Sequence, residues 1–231
     1  MKPWQKKMWC IPPEQNADFV CAMENVLEVY HRPYDPKRPV ICLDEKSKQL
    51  VGEICQPIPA RPGMVERCDY EYVRNGTANL FMMVEPMRGW RRVNVTTRRT
   101  KTDFALQVKE LVDVHYPDAE KLTLVMDNLN THRMSSLYDA FPPEEARRLI
   151  AKIEVVHTPK HGSWLNMAEC ELSVLEKQAL GDRVATESDL ARRVRLWNDD
   201  RNHRTKRIDW QFWTSDARVK LRRLYPKTQL C

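Results

Sequence analysis

The stretch PVICLDE at residues 39–45 is the part of the sequence that says most about the fold. Four consecutive apolar residues are followed by two carboxylates, a pattern that predicts a short buried strand with acidic side chains at its end. A second run of this kind covers residues 121–126 and is followed by Asp127, and residues 153–157 form a third. Because helical patterns separate these runs, we predict an α/β domain.

The chain between the first two buried strands predicts an antiparallel ribbon and a helix. Residues 77–85 and 90–98 flank a turn, and in the second segment Val93 and Val95 alternate with polar neighbours, as in a pair of antiparallel strands. Residues 102–115 carry an apolar stripe at helical spacing. The predicted sheet therefore mixes parallel and antiparallel strands and is flanked by helices.

The rest of the sequence predicts further helices on either side of this domain. Ser163 is expected to cap a long helix over residues 164–180, and a basic amphipathic helix is expected over residues 187–197. A helical stretch also precedes the first strand. We divide the chain into three parts. They are a short helical N-terminal extension (residues 1–37), an α/β domain (residues 38–185) and a basic helical C-terminal tail packed on that domain (residues 186–231).

Composition excludes several classes of protein. The chain has 231 residues, of which 42% are hydrophobic and 30% charged, enough for one sizeable domain with an appendage. It contains no run of the roughly 18 apolar residues that a membrane span needs, and its first residues do not form a secretory signal. Seven scattered cysteines without a C-x-x-C pair argue against a disulfide framework or zinc ribbon and predict a reducing, cytoplasmic setting.

The positive charge is concentrated in two segments. Residues 88–101 contain six basic residues and no acid, and residues 191–227 contain twelve basic residues against four acids, with aromatic residues between them. Such segments suit a surface that follows a phosphate backbone. The alternative is a solvated helical face whose aromatic residues point into the core, and the sequence leaves both open.

Three carboxylates form the candidate catalytic constellation. Asp44 and Asp127 each follow a predicted strand, so they meet at one sheet edge if those strands are neighbours. Glu169 borders the apolar stripe of the long helix and can face the same edge. Three hard oxygen ligands suit Mg²⁺, and a pair of such ions can activate an attacking oxygen and stabilise a leaving one. The alternative role for each carboxylate is a helix cap or dipole partner.

Other polar residues compete with this set or extend it. Glu171 lies about 200° around the helix from Glu169, so only one of them can face the site. Glu45 competes with Asp44, although alternation along a strand points it to the opposite face. His132, Lys160 and His161 are candidate phosphate contacts, and the sequence contains no nucleotide-binding glycine motif.

Two of these segments resemble a known family. Residues 125–132 (VMDNLNTH) and 161–169 (HGSWLNMAE) look like the second and third acidic motifs of bacterial mariner-like insertion-sequence transposases, the IS-six-thirty group, whose catalytic part is a DDE-superfamily endonuclease domain. Residues 42–45 (CLDE) resemble the first motif. The resemblance implies a ribonuclease-H-like fold. It also implies that Asp44, Asp127 and Glu169 are the catalytic residues and that they bind two Mg²⁺ ions, which Mn²⁺ can replace.

The resemblance also implies an activity and its partners. It implies cleavage of double-stranded DNA at the element's ends, followed by attack of the freed 3′-hydroxyl on target DNA. A homodimer in the bacterial cytoplasm, associated with the nucleoid, is expected because two DNA ends must be joined. In the family that this chain resembles, a helix-turn-helix region precedes the catalytic part. Only about forty residues precede Asp44 here. We therefore expect a partner chain that carries the helix-turn-helix, or a truncated copy.

The sequence accordingly predicts a transposase domain that performs metal-dependent DNA cleavage and strand transfer. Two alternatives stay open: a ribonuclease-H-like nuclease without strand transfer, and a non-catalytic remnant that binds DNA or inhibits a transposase. The residues expected to contact DNA are basic or imidazole side chains: Arg88, Arg91, Arg92, Arg98, Arg99, His132, Lys160 and His161.

Overall fold

The computed structural model of the chain describes residues 14–128 and 133–227. The predicted DNA contact at His132 lies outside these residues. Within the described ranges, no helix is both long enough and apolar enough to cross a membrane.

Five strands form one mixed sheet, in the order β3-β2-β1-β4-β5. The pairs β1–β2 and β2–β3 are antiparallel, whereas β1–β4 and β4–β5 are parallel. The predicted mixture of parallel and antiparallel strands and the predicted antiparallel ribbon, β2–β3, are confirmed. The strands, in chain order, are β1 Val40–Glu53, β2 Tyr72–Glu85, β3 Trp90–Thr96, β4 Leu122–Met126 and β5 Ile153–His157.

The first strand differs from its prediction in length. Instead of ending at Asp44 and Glu45, β1 continues to Glu53. Its parallel pairing with β4 stops at Cys42, but its antiparallel pairing with β2 continues from Cys42 to Glu53. The second partner strand therefore keeps the chain extended, and Asp44 lies where β1 loses one neighbour rather than where it ends.

Helices cover both faces of the sheet. In chain order they are α1 Ala17–Tyr30, α2 Lys101–Glu110, which continues into a π-helical turn at Leu111–His115, α3 Ser136–Ala140, α4 Pro143–Ala151, α5 Met167–Ala179, α6 Glu187–His203 and α7 Thr214–Lys220. The expectation that Ser163 caps a helix starting at residue 164 is wrong. Residues Ser163–Leu165 form a 3₁₀ turn, and Asn166 is the N-cap of α5.

Alternating residues of the central strands build two cores. Cys42 and Met82 face one side, where they pack with α1, α5 and α6, whereas Leu43 and Met83 face the other side with α2 and α4. Each fully buried large side chain contributes about 1.5–3 kcal/mol of transfer free energy. The strand pleat thus decides which helices a strand residue can meet.

The C-terminal segment packs on the first of these cores. Trp197, Ala217 and Leu224 are buried there, and Trp210 and Phe212 pack against its border. The aromatic residues of this segment therefore point mainly into the core, which was the alternative to an aromatic DNA-binding surface.

Candidate active site

The register of the parallel strands brings two aspartates to the same level. Cys42 on β1 pairs with Val125 on β4, so two residues further along both strands Asp44 comes level with Asp127. Side chains two positions apart on a strand share a face, and Cys42 and Val125 both belong to the core beneath α5. Asp44 and Asp127 therefore lie at the same edge of the sheet and on its α5 face.

Two buried polar contacts place Glu169 beside this edge. The Tyr30 hydroxyl donates to the Leu165 carbonyl oxygen at 2.7 Å. The Asn166 side-chain amide donates to the carbonyl oxygen of Leu43 at 2.8 Å. The first contact ties the turn before α5 to α1, and the second holds the start of α5 against β1, directly before Asp44. Glu169 lies in the first turn of α5 and is exposed.

The electrostatics of Asp44 indicate that the three carboxylates share one environment. The pKa of Asp44 is raised to about 7, chiefly by burial and further by the charges of Glu45, Asp127 and Glu169, against a lowering hydrogen bond from the Glu45 backbone N–H at 2.9 Å. Unlike a structural ion pair, this carboxylate is surrounded chiefly by like charge. A cation would relieve that repulsion.

The donor set fits a hard divalent cation, but the side chains are not gathered into a finished metal site. Within residues 14–128 and 133–227, no three His, Cys, Asp or Glu side chains are already close enough to hold an ion. Asp44, Asp127 and Glu169 offer only carboxylate oxygens, which is the chemistry that Mg²⁺ and Mn²⁺ prefer.

The competing glutamates have other surroundings. Glu171 is buried between two guanidinium groups: Arg91 donates from Nε at 2.6 Å and Arg201 from Nη2 at 2.8 Å. Glu45 follows the strand pleat to the face of Leu43, and its nearly buried side chain lies 3.9 Å from Arg99. Neither glutamate replaces its neighbour at the carboxylate edge.

Arg91 is a correction to the expected DNA contacts. Its side chain is 1% exposed, and besides Glu171 it donates to the carbonyl oxygens of Gly89 and Lys206 at 2.8 and 2.6 Å. A buried guanidinium with these partners stabilises the fold and is not available to a phosphate. Arg92 points to the opposite face, where it pairs with Glu110 at 3.0 Å and remains 43% exposed.

The other expected DNA contacts within residues 14–128 and 133–227 are exposed but lie at two ends of the sheet. Arg98 and Arg99 follow Thr96, which is level with Ser47, so they lie at the same end as Asp44. Lys160 and His161 follow β5 and are exposed at that end too. Arg88 is in the β2–β3 turn, at the end where β1 begins.

The residues that hold the site together were missed from the sequence. Asn166 precedes the helix, where asparagine is a favoured cap, so its position was a usable signal. Tyr30, 135 residues from its partner Leu165, gave no comparable signal.

A cavity of about 690 Å³ lies away from the carboxylate edge. It is lined by residues that include Tyr30, Val40, Thr123, Met167 and Trp210, at the end where β1 and β4 begin. None of the three carboxylates contributes to its wall. We therefore assign the candidate chemistry to the carboxylate edge and not to this cavity.

Comparison with known proteins identifies the family of the chain. A family model described as "DDE superfamily endonuclease" matches residues 39–191. Among solved structures, the Mos1 strand transfer complex is similar with a TM-score of 0.60 and 15% identity, covering 94% of this chain and 62% of that one. No curated protein matches the chain with significance.

Two further structures show the same fold. The Mos1 mariner paired end complex with Mn has a TM-score of 0.55 and 16% identity, covering 87% of this chain and 62% of that one. The mariner Mos1 paired end complex with Mg has a TM-score of 0.54 and 14% identity, covering 96% and 67%. The ribonuclease-H-like fold is thereby confirmed, and the chain spans about 62% of the first structure's length.

Proposed function

Because this chain belongs to the DDE superfamily endonuclease family, we propose that it carries the catalytic steps of a transposase. The proposed reaction is metal-dependent cleavage of double-stranded DNA at the ends of an insertion sequence, followed by joining of the free 3′-hydroxyl to target DNA. The observation that carries the proposal is the arrangement of Asp44, Asp127 and Glu169 at one sheet edge, where repulsion among carboxylates helps to raise the pKa of Asp44 to about 7.

The three carboxylates are the proposed ligands of Mg²⁺ or Mn²⁺, with two ions per site. When bound, such ions stabilise charge on the reacting phosphate and activate the attacking oxygen. The chain itself holds the ligands: β1 and β4 place the aspartates, and α5 places Glu169. The mixed carboxylate exposure, with Asp44 partly buried and Glu169 exposed, leaves the site accessible to DNA.

Exposed basic residues at the same end of the sheet are the proposed DNA contacts. Arg98, Arg99, Lys160 and His161 are exposed at the same end of the sheet as the carboxylate edge, and Arg88 and Arg92 would contact DNA further away. Two copies of the chain would act together, because two DNA ends have to be joined. A region that carries the helix-turn-helix, on this or a partner chain, would recognise the ends.

The first experiment compares two Asp→Asn variants. Asp127→Asn should abolish nicking of supercoiled plasmid in Mg²⁺ or Mn²⁺ while DNA binding by gel shift persists, because the change removes a ligand charge and keeps the size of the side chain. Asp182→Asn is the matched control, since that side chain is 92% exposed. Nicking by Asp127→Asn at the rate of the unchanged chain would refute the metal site.

A second experiment separates a transposase from a simple nuclease. A labelled DNA end with a free 3′-hydroxyl is incubated with target plasmid, the protein and Mn²⁺, and joined product is measured on a denaturing gel. Joining is expected, since attack by a hydroxyl requires the same activation as attack by water. Nicking without joining would support the nuclease alternative.

A further inference from the structure

Asn166 connects the helix that carries Glu169 to the strand that carries Asp44. The side chain is 1% exposed. Its Nδ2 donates to the Leu43 carbonyl oxygen at 2.8 Å, and its Oδ1 accepts from the Ala168 backbone N–H at 3.1 Å. Leu43 directly precedes Asp44, and Ala168 directly precedes Glu169. One planar amide therefore bridges the positions next to two of the proposed ligands.

The backbone of Asn166 is fixed as well. Its N–H donates to the Ser163 carbonyl oxygen at 2.7 Å, and its carbonyl oxygen accepts from the Glu169 N–H at 3.1 Å. Both halves of the side-chain amide and both backbone groups thus have partners inside the protein. A buried polar group with this many bonds holds one orientation.

Helix capping alone does not explain the choice of asparagine. Thr186 caps α6 through a hydroxyl that accepts from the Asp189 N–H at 3.2 Å, and Asn16 caps α1 through Oδ1, which accepts from the Phe19 N–H at 2.9 Å. Serine, threonine and aspartate cap helices about as well as asparagine. An aspartate can only accept, and a serine or threonine hydroxyl would have to accept and donate through one oxygen close to the backbone, whereas the amide accepts from the helix through Oδ1 and donates to the strand carbonyl through a separate atom, Nδ2.

We propose that Asn166 is a positioning residue that sets the separation of Asp44 and Glu169 and so determines how tightly the carboxylate edge binds a divalent cation. This inference rests on the proposed function, because it takes the three carboxylates as the metal ligands. Residues that orient metal ligands from behind typically change metal affinity by about 10–100-fold when they are replaced.

The test is the Asn166→Ser variant. Serine keeps a cap for α5, but its shorter hydroxyl does not span the distance to the Leu43 carbonyl oxygen. Asn16→Ser is the matched control, because it is the same change at the N-cap of another helix. Asn16 lies at the opposite end of α1 from Tyr30, about 21 Å away along the helix axis. Mn²⁺ binding to the metal-free protein, without DNA, is measured by calorimetry and by the electron paramagnetic resonance signal of free Mn²⁺.

We expect the Mn²⁺ dissociation constant to rise by about tenfold or more in Asn166→Ser and by less than about twofold in Asn16→Ser. In nicking assays the half-saturating Mn²⁺ concentration of Asn166→Ser should rise by the same factor, with the rate recovering at saturating Mn²⁺. A residue with a merely structural role would lower the rate at every Mn²⁺ concentration.

The outcomes separate this inference from the proposed function. If the unchanged chain binds Mn²⁺ and Asn166→Ser binds it equally well, the positioning role is overturned and the metal site stands. If the unchanged chain binds no Mn²⁺, the metal site fails and the inference fails with it. Circular dichroism is recorded first. Because serine keeps the cap, a variant that does not fold would assign Asn166 to the fold and overturn the positioning role.

Discussion

Glu169 and Glu171 are two positions apart on α5 and have opposite electrostatic surroundings. Glu171 is buried and accepts hydrogen bonds from Arg91 and Arg201. Glu169 is exposed and lies at the edge where its charge raises the pKa of Asp44. The negative charge of Glu171 is thus neutralised by two arginines on one face of the helix, whereas Glu169, on the other face, lies among like charges. The comparison shows that the surroundings of a carboxylate, and not its residue type, indicate whether it serves the fold or the chemistry.

The difference has an energetic basis. Removing one partner of a buried ion pair leaves an uncompensated charge in a medium that solvates it poorly, which typically costs about 3–5 kcal/mol. Three clustered carboxylates, in contrast, repel one another, and removing one relieves repulsion. A protein retains such a cluster at a cost in stability, which is typical of functional sites.

The largest expected effect is on catalysis. Glu169→Gln should lower Mg²⁺-dependent nicking by about a thousandfold or more, because metal stabilisation of the reacting phosphate is worth several kcal/mol. Its free energy of unfolding should change by less than about 0.5 kcal/mol, as for an exposed residue. Single-turnover nicking and urea unfolding measure the two quantities. Nicking within tenfold of the unchanged chain would contradict the role of Glu169.

The matched variant two positions away should behave in the opposite way. Glu171→Gln should lower the free energy of unfolding by about 3 kcal/mol, since the guanidinium groups of Arg91 and Arg201 lose their counter-charge. Nicking per folded molecule should stay within about threefold. Urea unfolding and plasmid nicking are again the measurements, and a stable but inactive variant would reverse the assignment of the two glutamates.

The carboxylate edge should also show in the pH dependence of stability. The pKa of Asp44 is raised to about 7, so its carboxyl group is neutral in the folded chain at pH 5 and ionised in the unfolded chain. Stability from this group is fully present below its unfolded pKa and is lost as pH rises through 7. The difference in free energy of unfolding between Asp44→Asn and the unchanged chain should therefore shift in favour of the variant by on the order of 2 kcal/mol from pH 5 to pH 8. Urea unfolding in EDTA at both pH values tests this, and a constant difference would contradict it.

The smallest expected effect concerns the basic residues. Arg98→Ala and Arg99→Ala should each reduce the slope of log affinity against log salt concentration by about one, because each exposed arginine is expected to neutralise a phosphate. Arg91→Ala should leave the slope unchanged and lower stability, since its side chain is buried against Glu171. Fluorescence anisotropy with labelled duplex DNA at several salt concentrations measures the slopes. A reduced slope for Arg91→Ala would contradict the burial argument.

Much of the fold follows from local patterns. The apolar runs before Asp44 and Asp127 predict buried strands, and the mixed sheet and its flanking helices follow from the order of these patterns. The third strand, β5, was also expected to be buried, but it lies at the edge of the sheet and only Ile153 in it is buried. The length of β1 could not be predicted from its own sequence, because pairing with β2 keeps it extended to Glu53. Pairing partners that are distant in sequence leave no periodic signal.

The candidate site was also predictable only in part, because local patterns indicate its carboxylates but not the partners that are distant in sequence. Asp44 and Asp127 were proposed from their positions after predicted strands, and Glu169 from its position at the border of the apolar stripe of a predicted helix. Arg91 and Arg92 were predicted to act alike, although adjacent strand residues point to opposite faces. Alternation was a usable signal for their different directions, but nothing local to Arg91 indicates that its partner is Glu171, 80 residues away.

The amino-acid sequence by itself determined which acidic side chains could meet at the end of the parallel strands, because strand and helix periodicity is written in neighbouring residues. The tertiary structure alone decided which charges are neutralised and which are not. It paired Arg91 and Arg201 with the buried Glu171, tied Asn166 to Leu43, and set Asp44 among other carboxylates. The physical reason is that desolvation and Coulomb energies depend on distance in space, which the chain fixes only when it folds.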